Sequence, residues 1–273
     1  MQTLLIKNSF YFTYIFLITT GTICFIEALR NPEPKIRHIM NLETCISVVA
    51  GYFYGLFVEK IKNYEKTYNE NSNNDINSND NSNSNDETIL IDGSNNVNNV
   101  NNVNNINNVN NINNINNVKY DSQFLLTINN NRYVDWAIST PLMLLVLCLV
   151  LGLENKITVN FWTFLVILLF NYLMLGAGFL GEKNKLPRTL ANIIGFVFFF
   201  ALYGLLYYVY MRKNRTFNSL IIYLLFVVLW AFYGVFYQMS TLTKIFGYNI
   251  LDLLSKAFVG IFFWLYLTKS VKF

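Results

Sequence analysis

The sequence predicts an all-α membrane protein, a bundle of seven transmembrane helices. Hydrophobic residues make up 53% of the 273-residue chain, aromatics 17% and charged residues 13%. Those averages cover two different parts. Residues 63–119 are mostly Asn, Ser and Asp with scattered Val and Ile, and the remainder is far more apolar. Seven apolar stretches recur in that remainder, at about 10–29, 38–58, 123–152, 157–181, 188–210, 216–240 and 246–268. Each reaches the roughly 20 helical residues that cross a hydrocarbon core of about 30 Å. Only helices or closed barrels satisfy every backbone group in lipid, and the alternation of about ten residues that marks barrel strands is absent. One membrane domain with one insert follows: helices 1 and 2 in 1–62, the insert in 63–119, and helices 3 to 7 in 120–273.

The first stretch follows Lys7 and runs to Ala28 without a small-residue cleavage site, so it reads as helix 1 rather than a signal peptide. In the second, Asn41-Leu42-Glu43-Thr44-Cys45-Ile46-Ser47 places a carboxylate about one turn inside the helix. It reads as a side chain reaching back to water, as a pore or gate group, or as a proton donor.

The insert is low-complexity. From Val97 to Val118 it repeats Val or Ile followed by Asn-Asn, without charge. Such a tract buries too little apolar surface to offset chain entropy, and disorder is the expectation. Loop-closure cost grows slowly with length, so a tolerant connection accommodates it. No function is assigned to it.

The third stretch reads Asn131-Arg132-Tyr133-Val134-Asp135-Trp136-Ala137-Ile138-Ser139-Thr140-Pro141-Leu142. Arg132, Asp135 and Ser139 fall near one helix face at three- and four-residue steps. An arginine at this depth is costly and points to function, and beside it Asp135 is expected to stay a carboxylate. Pro141 removes a backbone bond and bends the helix.

The seventh stretch contains Asp252-Leu-Leu-Ser-Lys256. The aspartate and lysine share one face, one turn apart, where water is scarce. A buried lysine forms Schiff bases with aldehydes, and a carboxylate stabilises the cation that results. Taken alone, the pair reads equally well as a structural ion pair.

The remaining chemistry is sparse. Cys24, Cys45 and Cys148 all fall inside spans and read as packing residues, with no disulfide and no metal site. The single histidine, His38, sits at a helix end beside Arg37. The net charge of +4 comes from basic short loops and gives no case for nucleic acid. Arg30, Lys35 and Arg37, Arg212, Lys213 and Arg215, and the tail residues Lys269 and Lys272 share one side, which the positive-inside rule makes cytoplasmic. The N-terminus and the insert are then extracellular or lumenal and the C-terminus cytoplasmic. Lys183, Lys185 and Arg188 lie on the other side and weaken the bias.

These motifs resemble the microbial (type 1) rhodopsins, which bind retinal. The Arg132–Leu142 run in helix 3 and Asp252 with Lys256 in helix 7 carry the resemblance. So do Trp230-Ala231-Phe232-Tyr233-Gly234-Val235-Phe236-Tyr237 in helix 6 and Met174-Leu175-Gly176-Ala177-Gly178-Phe179-Leu180-Gly181 in helix 4. In helix 6, Gly234 replaces the family's proline and Tyr237 its second tryptophan. Each aromatic alone is ordinary core; four motifs in order on four helices are not.

The resemblance implies that Lys256 holds all-trans-retinal as a protonated Schiff base. Asp135 is then its counterion and first proton acceptor, Asp252 the second carboxylate, and Arg132 lies on their extracellular side. Trp136, Trp230, Tyr233 and Tyr237 sandwich the polyene, with Ser139 and Thr140 in the pocket and Met174 and Gly178 near the ring. Asn192 and Gly195 are the helix 5 candidates. Eleven residues after Asp135, outward proton pumps of the family carry an acid that reprotonates the Schiff base; here it is Val146. Asp135-Ser139-Val146 excludes the family's sodium- and chloride-pump patterns. Met239–Tyr248 lacks the acids that release protons in some pumps.

Glu43, aligned through Arg37 and Tyr54, falls beside the position vacated at Val146, and with Ser47 and Asn249 it marks a candidate ion path. The same triplet and the run Arg37–Thr44 resemble the rhodopsins of giant viruses, one branch of which is channel-like. The reading is a retinal-binding, light-responsive membrane protein with lipid around it and cations or protons as cargo. A homo-oligomer is compatible with it. A light-gated cation channel is favoured over a light-driven outward proton pump, with a sensory photoreceptor third and no enzyme activity.

Overall fold

The structure is a computed structural model describing residues 2–80, 120–213 and 215–268. Among these residues seven helices are long and apolar enough to cross a membrane. They are α1 (Gln2–Arg30), α2 (Pro34–Asp80), α3 (Ser122–Asn155), α4 (Phe161–Glu182), α5 (Arg188–Met211), α6 (Phe217–Tyr237) and α7 (Thr241–Leu267). Each packs on its neighbours in the chain and α7 closes on α1, so the helices form a ring; α3 also touches α6 across it. The outward faces are apolar, with Trp162, Phe200 and Val197 among the exposed side chains, as lipid contact requires.

The ends of the helices follow from local chemistry. Asp121 caps α3 through the Phe124 amide, Asn160 caps α4 through the Thr163 amide, and Thr216 and Ser219 form a reciprocal box on α6. Pro141 lies inside α3 and cannot bond the carbonyl of Ala137. The Tyr172 hydroxyl of α4 donates to that carbonyl instead, at 3.2 Å.

Two boundaries differ from the sequence expectation. The insert was placed at 63–119, but α2 continues as helix to Asp80. Lys7 pairs with Glu65 at 2.7 Å, and Tyr64 packs on Phe124 with centroids 4.6 Å apart, so α1 and α3 hold the extension in place. The Val/Ile-Asn-Asn repeat lies outside the described residues, as do Lys269 and Lys272. The seventh helix begins at Thr241 rather than 246, which brings Lys244 inside it; Lys244 is buried and paired with Glu182 at 2.6 Å.

Two segments depart from α-helix towards the wider π form, Tyr207–Met211 in α5 and Leu253–Phe258 in α7. The second contains Lys256. Such widened turns occur often at functional positions.

The interior has three levels. One apolar cluster gathers Cys24, Met40, Ile46, Val146, Leu147 and Phe263, among others, towards the end where α1 joins α2. Another gathers Phe10, Tyr54, Phe57, Leu125 and Ile245 towards the insert end. Between them lies a layer of buried charge.

Candidate functional site: a buried lysine with two aspartates at the end of an aromatic slot

Arg132, Asp135, Asp252 and Lys256 are all buried at the centre of the bundle. Their bonding is unequal. Asp252 accepts from Arg132 Nη1 at 2.7 Å and the Tyr54 hydroxyl at 2.8 Å on one oxygen. Its other oxygen accepts from the Tyr233 hydroxyl at 2.8 Å and Trp136 Nε1 at 3.2 Å. Lys256 Nζ stands 3.5 Å from that second oxygen. Asp135 instead touches Lys256 Nζ at 2.6 Å through Oδ2, while among the described residues no side chain bonds its Oδ1. Isolated buried ions are very costly, and this cluster offsets the cost by pairing two cations with two anions.

Arg132 is fixed from three helices. Besides Asp252 it donates to the Tyr54 hydroxyl at 3.0 Å and to Asn249 Oδ1 at 2.6 Å. Asn249 in turn donates to Ser9 Oγ at 2.8 Å. The guanidinium lies 5.4 to 5.7 Å from the ring centroids of Phe10, Tyr54, Phe57 and Tyr248, an aromatic cage suited to a desolvated cation.

Lys256 closes one wall of an apolar slot between the helices. Trp136, Thr140, Met174, Gly178, Trp230, Tyr233 and Tyr237 line it, as do Asn192 and Gly195. Trp136 meets Tyr233 edge-on with centroids 5.3 Å apart. The Tyr237 hydroxyl donates to the Gly178 carbonyl at 3.0 Å. The glycines of α4 hold this wall close: a methyl on Gly178 would stand 2.8 Å from the Tyr133 hydroxyl, and one on Gly181 would collide with Tyr237. An apolar, aromatic-walled slot with an amine on one wall and a carboxylate with a free oxygen beside it fits a long flat chromophore bearing an aldehyde.

Ser139 is buried beside this layer with its hydroxyl unpartnered. Thr140 spends its hydroxyl on structure, donating to the Trp136 carbonyl at 2.6 Å and accepting from Asn171 at 2.9 Å. Glu43, Ser47 and Asn249 are not brought together. Asn249 belongs to the Arg132 network on the insert side of Lys256. Glu43 and Ser47 are buried on the other side, with Glu43 near Gly260 of α7. Among the described residues Glu43 forms no ion pair. Val146 lies buried in the apolar cluster on that side.

Met143, Phe196, Phe199 and Tyr248 also line the slot and belong to none of the sequence motifs. Tyr133 and Gly234, which lie inside the motifs of helices 3 and 6, line it as well, and Tyr54 of helix 2 bonds Asp252.

Comparison with known proteins agrees with this geometry. The family model described as bacteriorhodopsin-like protein matches residues 5–270. The solved structure of the viral rhodopsin OLPVRII is 40% identical, with a TM-score of 0.71, over 98% of this chain and 100% of that one. Xanthorhodopsin, described as a light-driven ion pump with dual chromophore, shares the fold at 20% identity and a TM-score of 0.62, over 96% of this chain and 92% of that one. The blue-light absorbing proteorhodopsin of the gamma-proteobacterium Hot 75m4 is 29% identical over 154 residues, 49% of this chain and 59% of that protein. Opsin-1 of Neurospora crassa is 29% identical over 158 residues, 50% of this chain and 48% of that protein. This chain thus aligns with about half the length of those two relatives. With the match spanning nearly every residue and the lysine–aspartate centre at the end of its slot, the chain belongs to the bacteriorhodopsin-like family, and is an integral membrane retinal protein.

Proposed function

We propose that the protein is a light-driven outward proton carrier with all-trans-retinal bound at Lys256. The observation that carries this reading is the difference between the two aspartates. Asp252 accepts four hydrogen bonds and has no oxygen to spare. Asp135 has one oxygen on Lys256 Nζ and the other uncommitted. A proton leaving that nitrogen has a ready acceptor in Asp135 and a fixed anion in Asp252.

When bound, retinal supplies light absorption and isomerisation near its point of attachment. The chain does the rest. The aromatic walls orient the polyene and exclude water. Arg132, held by Asn249 and Tyr54, keeps Asp252 ionised and lies between Asp135 and the insert side. Glu43 sits on the opposite side, enclosed by the apolar cluster, where a lone carboxyl suits holding and returning a proton. With basic loops facing the cytoplasm, the net direction is outward.

The sequence alone favoured a light-gated cation channel, on the strength of Glu43 and the missing acid at Val146. The apolar enclosure of Glu43 turns that preference. A continuous pore needs polar groups or water along its length, and Glu43 is separated from Asn249 by the whole lysine–aspartate layer. The channel is kept as the second reading because Ser47, Glu43, Tyr54 and Asn249 all lie on α2 and α7, along one seam with α1.

Photocurrent recorded at several membrane voltages tests the choice. A carrier gives outward current across the range and against an opposing proton gradient. A current that reverses sign with the ion gradient would replace the carrier with the channel.

A further inference from the structure

We propose that Gly260 is the positioning residue for Glu43: the side chain absent from α7 makes the space in which the Glu43 carboxyl sits. The proposal rests on the reading of Glu43 as the group that returns the proton. A methyl built on Gly260 would stand 3.1 Å from Glu43 Oε2 and 2.8 Å from Thr20 Cγ2. Both are closer than side chains normally approach, so Thr20 and Glu43 must each give way.

The backbone makes no demand for glycine here. Gly260 lies in the regular helix Val259–Leu267, and no glycine among the described residues has positive φ. Glycine is a poor helix residue, so the position is explained by space rather than by conformation. Gly260 follows Lys256 by four residues in α7, just beyond the widened turn that holds the lysine.

The walls of the gap are pinned. The Thr20 hydroxyl donates to the Ala257 carbonyl at 3.3 Å, and Cys24 Sγ approaches the Gly260 carbonyl at 3.9 Å. These contacts tie α1 to α7 at Ala257 and at Gly260 itself, and they resist separation of the two helices. Thr20 is held by its hydroxyl, and the Glu43 carboxyl, the end of a flexible side chain, is displaced along with it.

The test uses the full-length, retinal-loaded protein and flash spectroscopy. In Gly260→Ala, reprotonation of the attachment nitrogen should slow by on the order of tenfold or more, as expected when a proton-transfer partner is displaced. Azide, a small external proton donor, should restore the rate, and the dark absorption maximum should stay put. The carboxyl C=O stretch of Glu43 in infrared difference spectra should shift. In a Glu43→Gln background, Gly260→Ala should add no further slowing. Thr20→Ser removes the clashing Cγ2 and keeps the hydroxyl, so Gly260→Ala/Thr20→Ser isolates the Glu43 contact and carries the test if the single variant does not assemble. Equal slowing with and without Glu43, or no slowing at all, would overturn the proposal. If Glu43→Gln slows recovery and Gly260→Ala does not, only the positioning role falls. If Glu43→Gln itself changes nothing, the reading of Glu43 falls and takes the proposal with it.

Discussion

Asp135 and Asp252 flank the same lysine nitrogen, at 2.6 Å and 3.5 Å, yet only Asp135 keeps an oxygen without a partner among the described residues. The two carboxylates are chemically identical and differ only in what surrounds them. On the proposed reading that difference divides the roles of fixed anion and proton acceptor between them, and variants can separate the two.

Lys256→Ala should give a folded protein that stays colourless after retinal addition. Lys244 is the other buried lysine of α7, but it lies twelve residues away and is committed to Glu182. Visible absorbance in the Lys256→Ala variant would move the attachment point elsewhere.

Asp135→Asn removes the charge nearest the attachment nitrogen, which should shift the absorption maximum to longer wavelength and abolish light-driven proton transfer. Asp252→Asn should also cost stability, because Arg132 would be left buried without its anion; breaking a buried pair typically costs about 3–5 kcal/mol. An unchanged spectrum in Asp135→Asn would make Asp252 the principal counterion.

Glu43→Gln should slow the return of the proton by roughly 100-fold, the lower range for loss of a general acid, while leaving the dark spectrum unchanged. Flash spectroscopy over a range of pH measures it. Recovery that keeps its original rate would mean that the proton comes back by another route.

The Lys244–Glu182 pair offers a stability test independent of colour. Its side chains are 3% and 9% exposed, so removing one partner leaves an uncompensated charge. Lys244→Met should cost about 3 kcal/mol, and Lys244→Met/Glu182→Leu should recover most of it. Thermal denaturation of the wild type, Lys244→Met, Glu182→Leu and the double variant reads this directly, and strictly additive losses would show that the two side chains are not coupled.

Much of this was legible in the chain. Asp252 and Lys256 could be paired from their spacing, because four residues on a helix fix a common face. The seven spans could be counted because hydrocarbon leaves no other use for such stretches. What the sequence could not supply was partners across helices. Arg132 stood next to Asp135 in helix 3, and nothing in the spacing shows that it reaches to Asp252 and Asn249 of α7. Asn249 looked like a lining group on an ion path and is the anchor of that arginine. Gly260 was unremarked, since a glycine in an apolar helix signals nothing until its neighbour is known. The helical start of the insert was missed because Glu65 and Tyr64 are held by Lys7 and Phe124, which are distant in the chain.

The widened turn at Leu253–Phe258 gives α7 the character of two rods joined at a swivel. A turn that holds an extra residue shifts the faces of the helix beyond it relative to those before it. Asn249 and Asp252 belong to the rod bonded into the Arg132 network, and Gly260 belongs to the rod that meets Glu43. Lys256 sits in the widened turn between them, bonded to Asp135 of α3. The lysine thus stands at the joint between the two parts of α7.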